Sequence, residues 1–552
     1  MKKNYIISSV LLISLFFLGG CSDFLDTYPK NKISSQNFWK TKEDANTALN
    51  ALYIHLPGIA EPAGKATADP SKIKEFQWDM MSDIAHTNGT ADVTIRIERG
   101  EQASDLGFFR DLYRDHYRAI HDVNYFIENV GIVLENDPLY TEEEHANQIA
   151  QARVIRAIAY MRLAFLFGDV PHITTTIDLS EGRQVTRTSV QNIWNYIETE
   201  LEEASASLKE SYQADTKNIG HITKGAALGM KARAMLYAGR YDIAADAAKR
   251  VMDMDIYSLY PSYEKLFSYE GQNNQEIILD RQYEKSIAQH DFFNYAAPKG
   301  MNGNTNIVPT RTLVEAYETI DGLPVNPRKP YANRDPRLGF TVFLPAFSDA
   351  VPGDMLYNEK PYDPRPGSGT VDEVDVDYQR SKTGFGMKKY VSPDDMADRS
   401  NCGINFIILR YADILLMYAE AMIEQGKIDN SVLEAINEVR TKREDVKIQP
   451  IVTGKNQDEM REIIRHERMV ELALEGLRFW DIRRWRTAEI VMQDIIQGMT
   501  YIAPGADSET APIQTYNYGG VKRAFNPQRD YLFPIPQQEI ALNPALTQNP
   551  NY

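Results

Sequence analysis

The strongest constraint in this chain is a helical hairpin rich in alanine that occurs twice. Lys224 to Asp253 turns at Gly239-Arg240-Tyr241 and resumes with Ala244, Ala245, Ala248 and Val251 on one helical face. Tyr411 to Arg443 repeats the plan, turning at Gly426-Lys427-Ile428 before Leu433, Ile436 and Val439. Small side chains let paired helix axes approach closely. A chain carrying such units must stack helices on helices, so a mainly α architecture follows.

The hairpins resemble tetratricopeptide helix pairs, although the full 34-residue consensus is not met. Helical periodicity also runs through Thr41 to Glu135 and Glu142 to Leu208, which supplies two further pairs and gives four in all. A last helix is expected over Asp458 to Glu475, followed by Leu477 to Trp485. The texture of 258–401 differs. It is rich in Gly, Pro, Asn, Asp and aromatic residues, and nine prolines between Pro324 and Pro366 exclude a long helix there. Short strands are expected at Glu276 to Asp280 and Phe340 to Phe343. The expectation is therefore one domain over 41–552, with a helical scaffold at 41–257 and 402–490. A loop-rich ligand region would occupy mainly 258–401, with 75–100 added. Loops of such length are usually functional or disordered, and the aromatic content favours an ordered one.

The amino terminus reads as an address. Lys2 and Lys3 precede an apolar run from Ile6 to Leu18, too short to span a bilayer, and Leu18-Gly19-Gly20-Cys21 follows at once. Small residues before a cysteine resemble a bacterial lipoprotein cleavage site. Residues 1–20 would be the signal peptide, Cys21 the lipid attachment, and 21–40 a tether. Cleavage removes two lysines, so the formal charge of −17 becomes −19. That acidic balance argues against nucleic acid as a partner. Cys402 is then the one remaining cysteine and reads as a small structural residue.

Motifs that carry chemistry are absent. His466-Glu467 is followed by Arg468, Met469 and Val470, so it is not H-E-x-x-H, and there is no P-loop, dinucleotide fingerprint, G-x-S-x-G or C-x-x-C. Asp372, Asp375 and Asp377 lack the glycine and distal glutamate of a calcium loop, so Ca²⁺ has no supporting ligand motif and no cofactor or metal is expected. Arg461 to Trp485 alternates acids and bases at three- and four-residue spacing, which predicts ion pairs along one helix. A pair of glycosidase carboxylates has no sequence signature of its own, so a surface glycoside hydrolase stays open as a rival.

Several segments, in order along nearly the whole chain, resemble the SusD/RagB family of outer-membrane nutrient-uptake lipoproteins. They include Cys21 to Asp26, Phe38-Trp39, Arg156 to Tyr160 with Phe167 to Pro171, and Leu313 to Tyr317 with Asp321-Gly322. Arg334 to Leu338, Arg410 to Leu416, Glu475 to Trp485, Leu532 to Pro536 and Asn549 to Tyr552 complete the series. The resemblance implies a SusD-like fold of four tetratricopeptide-like pairs and a surface-facing, lipid-anchored position on the outer membrane. It implies capture of an oligosaccharide, without chemistry, for a SusC-like TonB-dependent transporter. In RagB-like branches the cargo is a peptide. It also places the ligand on the loop-rich side, by position at Glu75 to Arg99 and Gln282 to Asn306. Aromatic faces stack on sugar rings and polar groups bond the hydroxyls. The expected stacking residues are thus Trp78, Tyr283, Phe292, Phe293 and Tyr295, and the expected polar contacts Asp83, Asn88, Arg96 and Asn302. Trp39, Trp194, Trp480 and Trp485 fall in helical or terminal motifs and are expected in the core or at interfaces.

Overall fold

The computed structural model describes residues 38–59, 75–89, 93–215, 217–377 and 379–552. The signal segment, Cys21 and most of the tether lie outside the described residues.

The scaffold is helical. Its elements are α1 (Lys42–Leu52), α2 (Gly107–Asn129), α3 (Glu142–Phe167), α4 (Val190–Ser207), α5 (Lys224–Tyr237), α6 (Tyr241–Met252), α7 (Tyr411–Glu424), α8 (Asn430–Thr441), α9 (Gln457–Glu471) and α10 (Arg478–Arg484). From α1 to α8 each helix packs on the next, with α9 also against α7. Local chemistry sets the ends. Thr41, Thr141 and Asn456 cap α1, α3 and α9, each in a reciprocal bond with an acid three residues on. Gly239 and Gly426 take φ of +72° between α5 and α6 and between α7 and α8, a conformation in which a Cβ is penalised.

The alanine-rich helices are small for a visible reason. A Cβ on Gly229 of α5 would stand 2.4 Å from Leu409 Cδ2 and 2.9 Å from Ile414 Cδ1. Any larger residue would force α5 away from the start of α7. The core runs without a break from Leu49 through Tyr160, Met235 and Leu415 to Phe479 and Ile535. Trp39, Trp194 and Trp480 are buried in it, and Trp485 is half-buried with its Nε1 donating to Glu420 Oε1 at 2.6 Å.

Four antiparallel two-stranded ladders occur among the described residues. They join β1 (Ala85–Thr87) to β3 (Ile307–Pro309), β2 (Ile277–Arg281) to β6 (Phe406–Arg410), β4 (Val342–Phe343) to β5 (Gly386–Met387), and β7 (Asp494–Tyr501) to β8 (Gln514–Arg523). The strands expected near 276–280 and 340–343 are β2 and β4, though 337–341 is helical. The β7–β8 pair had no sequence expectation. Of β8 only Val521 and Arg523 are buried, so no apolar alternation marks it.

The charged stretch 461–485 differs from its expectation. Short-range pairs are few, such as Arg484 with Asp481. Its central charges are buried and pair across elements. Arg337, Arg410, Arg440, Arg443 and Lys389 face Asp335, Glu276, Glu467, Glu471 and Glu475 in one cluster, with Glu318 at its rim. Arg233, Arg468 and Arg484 face Asp413, Asp481 and Glu420 in a second. A charge without water must be paired, so these contacts fix how α9 and α10 meet α7 and the insertion.

Candidate ligand-binding site

The β1–β3 ladder brings the two expected segments together. Ala85 opposes Pro309, His86 opposes Val308 and Thr87 opposes Ile307. The segment leading into β1 is fastened from behind. Asp79 accepts the backbone N–H groups of Gly476 and Arg478 at 2.8 and 3.0 Å, and its burial pushes its pKa up to about 7 against those bonds. Behind β1, Glu98 takes His86 Nδ1 at 2.6 Å and Arg523 Nε at 2.9 Å, all buried.

Leading into β3, the chain makes a tight turn over 298–306. Asn302 sits in the left-handed region (φ +61°), and a Cβ on Gly303 would come within 2.0 Å of the Ala297 carbonyl oxygen. The turn is therefore locally dictated by its asparagine and glycine. It carries a polar relay across the front. Asn88 Nδ2 donates to the Asn304 carbonyl at 2.5 Å, Gln379 Nε2 donates to Asn304 Oδ1 at 2.9 Å, and Lys299 Nζ donates to Gln379 Oε1 at 2.5 Å. Arg399 donates to the Asn302 carbonyl. Asn88 Oδ1 is buried with no partner among the described residues. At the middle of β1 the Tyr518 ring lies 5.5 Å from that of His86, with Lys382 Nζ 5.6 Å from its centroid.

The predicted residues divide sharply. Asn302 and Arg96 are exposed and Tyr295 is half-buried, so these three lie where a ligand could reach; Asn88 requires correction, since it is 2% exposed and its Nδ2 is spent on the Asn304 carbonyl. Trp78, Phe292 and Phe293 require correction, since each is fully buried. Trp78 is wedged against Phe479 and Trp480 at 4.8 and 4.9 Å, and Phe292 against Phe76 at 4.5 Å, so neither offers a ring face. Tyr283 is 7% exposed; its hydroxyl donates to the Ile59 carbonyl at 2.6 Å and Arg281 covers its ring. Asp83 spends both oxygens on Arg478 at 2.8 Å each. Burial pushes that carboxyl up, but Arg478 and Arg523 outweigh burial and hold it below its ordinary range.

Sequence reasoning missed Lys299, Asn304, Gln379, Lys382, Arg399 and Tyr518. Asn304 lay in the run Asn302 to Asn306, inside the expected segment, and polar density alone could have flagged it. Gln379, Lys382, Arg399 and Tyr518 arrive from distant loops with no periodic signal. The acidic trio is dispersed: Asp372 accepts the Gly300 N–H at 2.8 Å, Asp375 accepts from Tyr516, and Asp377 pairs with Arg380. Among the described residues no group of three or more His, Cys, Asp or Glu side chains could hold a metal. Cys402 is buried, which pushes its thiol up to about 12. No helix among the described residues is long and apolar enough to cross a membrane.

Comparison with known proteins points one way. The profile described as the SusD family matches residues 267–552, and one described as starch-binding, associating with the outer membrane, matches residues 23–236. SusD-like protein P38 of Formosa agariphila is 27% identical over 529 residues, covering 90% of this chain and 94% of its own. A SusD-like carbohydrate-binding protein of Bacteroides fragilis superposes with a TM-score of 0.80 at 29% identity, over 92% of this chain and 100% of that one. A laminarin-binding SusD-like protein shares the fold, with a TM-score of 0.65 at 20% identity over 93% and 100%.

Proposed function

Because this chain belongs to the SusD family, whose members are glycan-binding proteins associated with the outer membrane, we propose that it captures oligosaccharides at the cell surface and hands them, chemically unchanged, to a SusC-like TonB-dependent transporter. Acylation of Cys21 would anchor it facing outward, and the tether would leave the body free to meet the barrel.

The observation that carries the reading is the front of the β1–β3 junction. Amides, cations and half-exposed tyrosine rings converge there from four separate segments, on a rigid helical scaffold. Amides offer paired donors and acceptors for hydroxyls, and rings offer an apolar face to the C–H side of a sugar. Neither buried charge cluster faces that surface as an acid–base pair would. Its carboxylates are each committed to arginine or lysine, which is poor preparation for proton transfer.

Isothermal titration against a panel of neutral and acidic oligosaccharides tests the reading. At least one should bind, and both Tyr295→Ala and Asn302→Ala should weaken it without lowering the melting temperature. Release of reducing ends from the bound sugar, lost on substituting a single acid, would refute a pure binder in favour of a hydrolase. Co-purification of a barrel transporter from membranes tests the delivery step.

A further inference from the structure

We propose that the oligosaccharide taken at this site is acidic, bearing carboxylates or sulfate half-esters; this rests on the glycan-binding reading above. Four cations are tied to the junction by their contacts: Arg99, Lys299, Lys382 and Arg399. None has a carboxylate oxygen within 4.0 Å of its side-chain nitrogens among the described residues. What they touch instead is neutral. Arg99 Nη2 donates to the Gly520 carbonyl at 2.7 Å, Lys299 to Gln379 Oε1, Arg399 to the Asn302 carbonyl, and Lys382 lies over the Tyr518 ring.

The chain carries 77 acids against 60 Lys plus Arg, so carboxylates are in surplus, and in its interior arginines such as Arg337, Arg410 and Arg468 face them directly. Acids even sit close by. Asp372, Asp375 and Asp377 are adjacent in the same loop, yet they are spent on a backbone N–H, a tyrosine and Arg380. Between the cations the chain places the amides Asn88, Asn304 and Gln379. Of these, Gln379 holds Lys299 in position without neutralising it. Each Lys or Arg keeps further N–H donors beyond the one bond named here. An ammonium or guanidinium in that state binds a carboxylate or sulfate oxygen more strongly than it binds a hydroxyl.

Tyr518 and Lys382 lie by His86, and the Asn304, Gln379 and Lys299 relay starts at Asn88. His86 and Asn88 are two positions apart along the chain, about 7 Å. Hydroxyls of a neutral glucan would engage the amides but leave the cations uncompensated.

The test is titration of the intact mature protein with oligogalacturonate (carboxylate only), carrageenan oligosaccharides (sulfate only), laminarin and starch oligosaccharides (neutral), and polyglutamate (charge without sugar), at 50 and 500 mM NaCl. One acidic sugar should bind at least tenfold tighter than either neutral one, and lose at least fivefold in affinity at the higher salt. Which of the first two binds assigns carboxylate or sulfate. Lys299→Gln and Arg399→Gln should each weaken that sugar about fivefold, with Lys299→Arg retaining it. Neutral sugars binding as tightly, with no salt dependence, would overturn the acidic assignment and leave the glycan-binding reading standing. Polyglutamate binding as tightly as the acidic sugar would also overturn it, since charge alone would then suffice. Failure of every sugar would overturn the glycan-binding reading itself.

Discussion

Replacing Glu471 by glutamine should destabilise the protein more than any surface substitution could. Its carboxylate accepts Arg337 Nη1 at 2.7 Å on one oxygen, and Arg410 Nη1 at 2.7 Å and Arg443 Nη2 at 3.0 Å on the other. All four side chains are at most 1% exposed. Burial pushes the carboxyl pKa up, but Arg443, Arg410 and Arg337 outweigh it and hold the group far below its ordinary range, so it is charged at neutral pH. Glutamine keeps the shape and removes the charge. Five buried cations then face four buried carboxylates, and an amide N–H₂ points at a guanidinium. Breaking a buried pair from one side costs about 3 to 5 kcal/mol, because the orphaned charge cannot reach water. Unfolding entropy is about 2 cal/mol/K per residue near the melting temperature, roughly 1 kcal/mol/K for a body of this size. The melting temperature should therefore drop by about 3 to 5 °C in differential scanning calorimetry. Glu462→Gln on the same helix is the control. Its side chain is 78% exposed and only 3.9 Å from Arg465, so it should stay within about 0.5 °C. Glu471→Gln melting with that control would refute the argument, because it would mean that the cluster admits water or rearranges at no cost.

Trp78→Ala should act on stability. It empties the space between Phe479 and Trp480 at a cost of about 3 to 5 kcal/mol, read from a shift in the urea midpoint. Normal stability with lost ligand binding would mean the ring is exposed after all. Acid should unfold the protein partly through Asp413. Burial pushes that carboxyl up, but Arg233 and Arg468 outweigh it and pull it to about 2, below the 3.8 of a free aspartate. Its contribution, about 2 to 3 kcal/mol, is full above pH 4 and lost as pH falls from 4 to 2. Asp413→Asn should flatten the stability profile in that window, and an unchanged slope would show that Asp413 is not held low. Cys21→Ala should leave the chain unacylated and shift it from the membrane pellet to the soluble fraction on ultracentrifugation. Unchanged fractionation would discard the lipid anchor.

Much of the scaffold was legible because helices announce themselves locally. Alanine-rich faces, capping residues such as Thr141 and stops such as Gly168 act within four residues of chain, and the observed ends of α3 fall where the periodicity and the Gly-Asp-Val-Pro stop placed them. The candidate site was legible only as a location. Segments 75–99 and 282–306 do meet, across β1 and β3, but aromatic identity could not separate Trp78, which is core, from Tyr295, which is half-buried. Burial depends on what arrives from elsewhere, here Phe479 and Trp480 from α10.

The same division runs through the charges. The alternation of acids and bases in 461–485 is a fact of sequence, and it suits a solvated helix face as well as a buried one. Whether Glu471 pairs with a neighbour four residues away or with Arg337 and Arg410 is settled by which elements press on α9, since exclusion of water is what makes a distant cation the better partner. Likewise the lysines and arginines along the junction are unremarkable in the sequence. Packing brings Lys299, Lys382 and Arg399 to one front and turns the nearby aspartates elsewhere. A site of this kind exists only once long-range contacts have placed it, because no local rule ties residue 88 to residues 304, 379 and 518.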